Sequence, residues 1–182
     1  MMLETNRLFL RKMNQSDYPA LCKILQDVDV MYAYEGVFSD AETQKWLDNQ
    51  ISNYKEYGFG LWAVILKATG KMIGQCGLTM QSCNNNQVLE IGYLFQKAFW
   101  GYGYATEAAI ACRDYVFDTL GADRVFSIIR DTNIASQNVA KRVGMEVIDT
   151  CIKHYRGVDM PHYLFSVADF NINLNPRRLK QL

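Results

Sequence analysis

The stretch from Glu90 to Ala109 limits this chain more than any other. An apolar run ending at Phe95 leads into Trp100-Gly101-Tyr102-Gly103-Tyr104-Ala105, which opens straight into an alanine-rich helix. Two glycines and an alanine remove side-chain bulk where the backbone turns. Bare N–H groups are then left at a helix start, where the helix dipole is positive. A strand–turn–helix unit of this kind places the chain among α/β folds and suits a phosphate group.

Composition sets the outer bounds. The chain has 182 residues, enough for one domain with a sizeable core. Its 19 Lys and Arg balance 19 Asp and Glu. That balance argues against nonspecific nucleic-acid binding, which needs a basic face. The N-terminal residues carry no apolar signal core, and no apolar run reaches membrane-spanning length, so a cytoplasmic protein with no membrane partner is expected. The 5 cysteines are odd in number and scattered, with no C-x-x-C pair. Free, buried or half-buried thiols are expected rather than a disulfide framework or structural zinc. The segment 171–182 is a polar, basic tail set apart from a domain over residues 3–170. Oligomeric state is not readable, and a homodimer stays open.

Periodicity gives the order β-α-α-β-β-β-α-β-α-β-β. Arg7–Met13 alternates as a strand. Ser16 and Asp17 are positioned to cap a helix carrying Leu21, Ile24, Leu25 and Val28. Ser39 and Glu42 form a capping box for a helix to about Tyr54. Strands follow at Leu61–Leu66 and Met72–Met80 around a turn at Gly70. A polar loop covers Ser82–Gln87, and Val88–Phe95 is the next strand. A helix is expected over Ala105–Leu120, stopped by Gly121, then a strand at Arg124–Arg130. Asn133–Val143 is a short helix stopped by Gly144. Glu146–Tyr155 and Met160–Asp169 close the chain as a hairpin across Arg156–Asp159. The reading is one α/β domain with a mixed, mostly antiparallel central sheet flanked by helices.

The glycine turn has competing explanations. A dinucleotide fingerprint needs a third small residue where Thr106 stands, and needs a βαβ setting. A P-loop needs Gly-Lys-Ser/Thr, which is absent. A tight turn that uses glycine only for geometry accounts for the pattern as well.

The wider sequence adds a resemblance. Trp100-Gly101-Tyr102-Gly103-Tyr104-Ala105 resembles the coenzyme A–binding motif of the GNAT N-acetyltransferases, Arg/Gln-x-x-Gly-x-Gly/Ala. With Leu3–Arg11, Glu90–Tyr93, Asn133–Ser136 and Arg142–Met145, it is similar to the branch of ribosomal-protein N-terminal (alanine/serine) acetyltransferases. The similarity spans roughly residues 3 to 168. Trp100 departs from the general motif by removing a cation. Backbone N–H groups from Gly101, Tyr102, Gly103, Tyr104, Ala105 and Thr106 would then do the anchoring.

The resemblance implies an acetyl-CoA-dependent transfer of an acetyl group to a primary amine, with acetyl-CoA as co-substrate and no metal. The acceptor is a protein N-terminal α-amine or a small amine such as a polyamine, amino acid or antibiotic. The pantetheine arm is expected between the parted strands 88–95 and 124–130, with main-chain bonds from Leu94 and Phe95 and a contact from Asn133. Lys141 and Arg142 are read as a solvated helix face. Glu90 is the first choice for the base that deprotonates the incoming amine, against a surface or ion-paired glutamate. Glu107 is a weaker choice, because the helix dipole alone favours an acid there. Many relatives use a tyrosine four residues before Gly144. Ala140 stands there, so the thiolate acid passes to Ser136, a position that a first-turn cap explains equally well. A backbone N–H of Leu94 or Phe95 is the oxyanion donor. Tyr32, Tyr34, Glu35 and Tyr155 are expected to shape the acceptor site, and Phe38 to shape it or the core. His154 and His162 flank one hairpin, but a metal reading lacks a third ligand. A noncatalytic acyl-CoA sensor and a nucleotide-binding enzyme remain alternatives.

Overall fold

Alternate side chains of one fully buried strand show how the layers assemble. The computed structural model describes residues 2–169, so Phe170 and the tail 171–182 lie outside the described residues. The elements are β1 (Leu3–Glu4), β2 (Leu8–Arg11), α1 (Tyr18–Leu25), α2 (Val28–Met31), α3 (Asp40–Glu56), β3 (Leu61–Leu66), β4 (Lys71–Cys83), β5 (Asn86–Phe95), α4 (Tyr104–Tyr115), β6 (Arg124–Arg130), α5 (Ile134–Arg142), β7 (Glu146–Tyr155) and β8 (Val158–Ala168). Trp62 and Val64 of β3 pack with Ala108, Ala109 and Cys112 of α4. Leu61, Ala63 and Ile65 pack with Leu21, Ile24 and Leu25 of α1 and Leu47 of α3. The period of two in β3 thus divides the core between two helical layers.

The eight strands form one sheet in the order β1-β2-β3-β4-β5-β6-β8-β7. Every neighbouring pair is antiparallel except β5 and β6. Small side chains at Ala108 and Ala109, both fully buried, let α4 lie close to this sheet.

The capping box at Ser39 and Glu42 forms as expected. The first helix starts differently. A 3-10 turn, Gln15–Asp17, leads into it, and Asn14 caps that turn by accepting from the Ser16 N–H, while the buried Asp17 carboxylate accepts from Asn14 N–H and from both ends of the Arg11 guanidinium. Val28 is 68% exposed rather than buried, because α1 ends at Leu25 and α2 restarts under an Asp27 cap. The polar loop expected at Ser82–Gln87 is a two-residue turn. Asn84 and Asn85 both take positive φ, which Asn tolerates, so β4 and β5 run up to it. Arg156 and Gly157 make a second turn of this kind, and β8 starts two residues earlier than the sequence suggested. The α-helix after the glycine turn closes at Tyr115 and continues as a wider π-helical turn, Val116–Leu120, before Gly121. Four of the five cysteines are buried and Cys22 is half-buried, all as free thiols. No helix among the described residues is long and apolar enough to cross a membrane.

Candidate active site at a fork in the sheet

The glycine turn joins the end of β5 to α4. Gly101 and Gly103 have φ of 82° and 80°, a region that costs L-residues about 1–2 kcal/mol. A Cβ on Gly101 would meet nothing within 4 Å, so the backbone angle, not space, demands glycine. Gly103 gives α4 no side-chain cap, so the N–H groups of Tyr104, Ala105 and Thr106 have no partner within the helix. Two side chains pin the turn. The Trp100 indole N–H donates to the Phe95 carbonyl at 2.9 Å. Arg7 donates to the Tyr102 carbonyl at 2.9 Å and lies 4.5 Å from the centre of the Tyr104 ring. Glu107 holds Arg7 in turn, pairing with its guanidinium at 2.7 Å and accepting from the Thr5 hydroxyl and the Arg7 N–H. Burial alone would raise the Glu107 carboxyl. The Thr5 and Arg7 donors outweigh it and hold the group below the ordinary value.

Beside this turn the sheet opens. β5 and β6 share a single rung, Glu90 opposite Phe126. The next rung of a parallel ladder would join Ile128 N–H to the Ile91 carbonyl. Both groups go elsewhere. Ile128 N–H donates to the Glu90 carboxylate at 3.1 Å, and the Ser127 hydroxyl donates to the Ile91 carbonyl at 2.8 Å. Glu90 also accepts from the Thr79 hydroxyl at 2.9 Å. Two side chains therefore satisfy the backbone where the strands part.

A cavity lies on either side of the fork. The larger, about 1280 Å³, runs along the glycine turn and α4. The smaller, about 390 Å³, lies toward α2, α3 and the β7–β8 hairpin. Tyr93, Leu94, Asn133 and Ser136 line both. A long cleft ending in phosphate-ready N–H groups thus meets a small chamber holding a half-buried carboxylate.

Residues 7–146 match the family described as Acetyltransferase (GNAT) domain. The chain belongs to the GNAT acetyltransferase family. It is similar to YkkB of Bacillus subtilis (strain 168), named as an uncharacterized protein, with 40% identity covering 83% of this chain and 88% of that one. It is also similar to p20 of Bacillus licheniformis, named as an uncharacterized N-acetyltransferase, with 32% identity covering 74% and 76%. A crystal structure of a GNAT-family acetyltransferase from Bacillus anthracis superposes with a TM-score of 0.79 at 25% identity, covering 92% of this chain and 98% of that one.

The GNAT fold gathers most of the residues singled out in the sequence. Leu94, Phe95, the turn from Trp100 to Thr106, Asn133 and Ser136 all lie on the wall of the larger cleft. Asn133 caps α5, accepting from the Ser136 N–H at 3.1 Å. The register changes one expectation. Gln96 N–H donates to the Ile73 carbonyl, so alternate residues back along β5, Leu94 among them, turn their peptide groups toward β4. The main-chain groups of Tyr93 and Phe95 face the fork instead.

Tyr34 and Tyr155 line the smaller cavity. Tyr32 lies on the larger cleft. Glu35 lines neither and pairs with Arg130 at 2.6 Å. Phe38 also lines the smaller cavity. Arg142, read as a solvated residue, lines the larger cleft. Burial raises the Glu90 carboxyl above its ordinary value, against the opposing pull of Ile128 N–H and the Thr79 hydroxyl. Glu107 sits instead in an ion-paired latch. His154 pairs with Asp159 on the exposed hairpin, and burial lowers His162 below the usual imidazole value. No group of three or more metal-ligating side chains occurs among the described residues.

Sequence reasoning missed Arg7, Ser127 and the role of Tyr93. The Tyr93 hydroxyl donates to the Ser136 carbonyl at 2.8 Å, tying β5 to α5 across the fork. Their partners lie 95, 36 and 43 residues away, beyond any local pattern.

Proposed function

We propose that this GNAT protein transfers the acetyl group of acetyl-CoA directly to a primary amine, with both substrates bound together. The observation that carries the reading is the meeting of the two cavities at the fork, with phosphate-ready N–H groups in one and Glu90 in the other. In this reading the diphosphate lies against the N–H groups from Gly101 to Thr106. The pantetheine arm enters the fork, where Tyr93 and Phe95 offer main-chain groups and Asn133 a side chain, much as an added strand would.

Glu90 takes a proton from the incoming ammonium, directly or through one water. A carboxylate with a raised pKa is a better base near neutral pH than an ordinary one. The amine nitrogen attacks the thioester carbonyl, and the oxygen gains negative charge next to the Phe95 N–H. The C–S bond then breaks, the Ser136 hydroxyl passes its proton to the departing thiolate, and the second proton shed by the nitrogen replaces it on the serine oxygen by way of water. The products are an N-acetyl amine and a free thiol. Binding both substrates in one complex removes the need for a covalent enzyme intermediate.

The test combines thermal stability with an acceptor screen. Acetyl-CoA should raise the melting temperature, and a subset of primary amines should release free thiol. No stabilisation at millimolar acetyl-CoA, or tight ATP or NAD binding in its place, would overturn the reading. Binding without turnover of any amine would favour a sensor.

A further inference from the structure

The smaller cavity is bridged from wall to wall. On one side runs the segment 32–38 between α2 and α3; on the other stand β6 and the β7–β8 turn. Arg130 donates to the Tyr32 carbonyl at 3.1 Å and pairs with Glu35 at 2.6 Å. Arg156 donates to the Val37 carbonyl at 3.2 Å and to Glu42 at 2.9 Å, and its guanidinium lies 5.9 Å from the centre of the Phe38 ring. Both ends of the segment are thereby strapped to parts of the chain that are distant in sequence, β6 and the β7–β8 turn.

Under the straps the wall is aromatic. Tyr34 meets Trp46 edge-on at 6.5 Å and Tyr155 at 5.9 Å. Phe38 meets Trp46 at 5.7 Å. The Trp46 indole N–H donates to the buried Gln75 at 2.9 Å, which fixes the ring. Glu90 is the carboxylate on the fork side of the same chamber. Its volume of about 390 Å³ is near the lower end of small-molecule pockets.

These features select an acceptor. Aromatic faces together with a carboxylate attract an ammonium group attached to an apolar body. A polypeptide N-terminus brings a backbone whose N–H and C=O groups need partners or water. The strapped segment, through Ala33, Tyr34 and Phe38, takes up one wall of the small chamber and leaves a backbone little room for either. We infer that the acceptor is a small free amine with a compact aromatic or branched-alkyl body, and that Arg130 and Arg156 exclude polypeptide N-termini. The inference rests on the acetyl-transfer reading above.

Thiol release at saturating acetyl-CoA tests it, with 2-phenylethylamine, tyramine and isoamylamine set against spermidine and a short peptide with a free N-terminal serine. At least one of the three amines should exceed both spermidine and the peptide in kcat/KM by about 100-fold. Trp46→Ala should raise the KM of that amine about tenfold. The KM for acetyl-CoA should stay unchanged, and Trp46→Phe should recover most of the loss. Arg156→Ala should raise turnover of the peptide and not of the amine. Equal or faster turnover of the peptide or of spermidine overturns the inference and leaves acetyl transfer standing. So does an amine KM indifferent to Trp46→Ala. Acetyl-CoA binding with none of the five acceptors used also overturns it. Failure to bind acetyl-CoA defeats the acetyl-transfer reading and this inference with it.

Discussion

The two cavities on either side of the fork are made of different material. The larger is bounded at its phosphate end by backbone, with consecutive N–H groups set by two positive-φ glycines and one helix start. The smaller is bounded by side chains from α3, β5, β6, the β7–β8 hairpin and the loop before α3. In the proposed reading, a wall of peptide groups binds the acetyl-CoA that the family uses. A wall of side chains can be altered residue by residue, so in that reading the choice of acceptor resides there.

Glu90→Gln should give the largest effect on that contrast. It keeps the shape beside Ile128 and removes the base. A fall in kcat of about 10²–10⁴-fold is expected, with unchanged acetyl-CoA affinity by calorimetry. Wild-type kcat should also decline as pH drops through a carboxyl pKa above the ordinary range, and the variant should lose that limb. If affinity falls together with kcat, the division between the two walls is wrong. Gly103→Val comes next. It forces a β-branched residue into φ of 80° at the helix start, so acetyl-CoA should bind about 10–100-fold more weakly by calorimetry. Ser136→Ala should lower kcat about tenfold and leave the KM for acetyl-CoA alone, as read in steady-state kinetics.

The smallest effect sharpens the contrast through two glutamates with opposite shifts. Glu107→Ala should lower stability by about 1 kcal/mol at neutral pH and hardly change kcat. The depressed Glu107 carboxyl stabilises the fold above its unfolded pKa, and that stabilisation is lost as pH falls through the folded value. Glu90 has the opposite sign. Its raised carboxyl favours the fold only when protonated and penalises it as pH rises through the folded value. Glu90→Gln should therefore leave the melting temperature at pH 7 unchanged or higher. Urea denaturation of both variants from pH 4 to 8 checks the two signs.

The same difference in material explains what the sequence revealed. The residues from Leu94 to Thr106 are consecutive, and their glycines, apolar run and alanine-rich helix are visible in one dimension. The strands and helices were legible for the same reason, apart from short elements such as β1 and α2. The Asn84–Asn85 turn was misread because a run of polar residues looks like a loop until two left-handed Asn residues are allowed for. The register that turns Leu94 toward β4 was out of reach, since it follows from one hydrogen bond beyond the strand end. Arg130 and Arg156 gave no local signal, because each meets a loop about a hundred residues earlier in the chain.

The single rung between β5 and β6 has a consequence for mechanical coupling. Strands β1 to β5 and strands β6 to β8 form two wings that share one rung of backbone pairing, their other links running through side chains and helices. A thioester arm lying in the notch, as proposed, would supply hydrogen bonds that the protein itself omits. Occupancy then stiffens the joint between the wings, and amide exchange at Tyr93 and Phe95 should slow more than anywhere in β3.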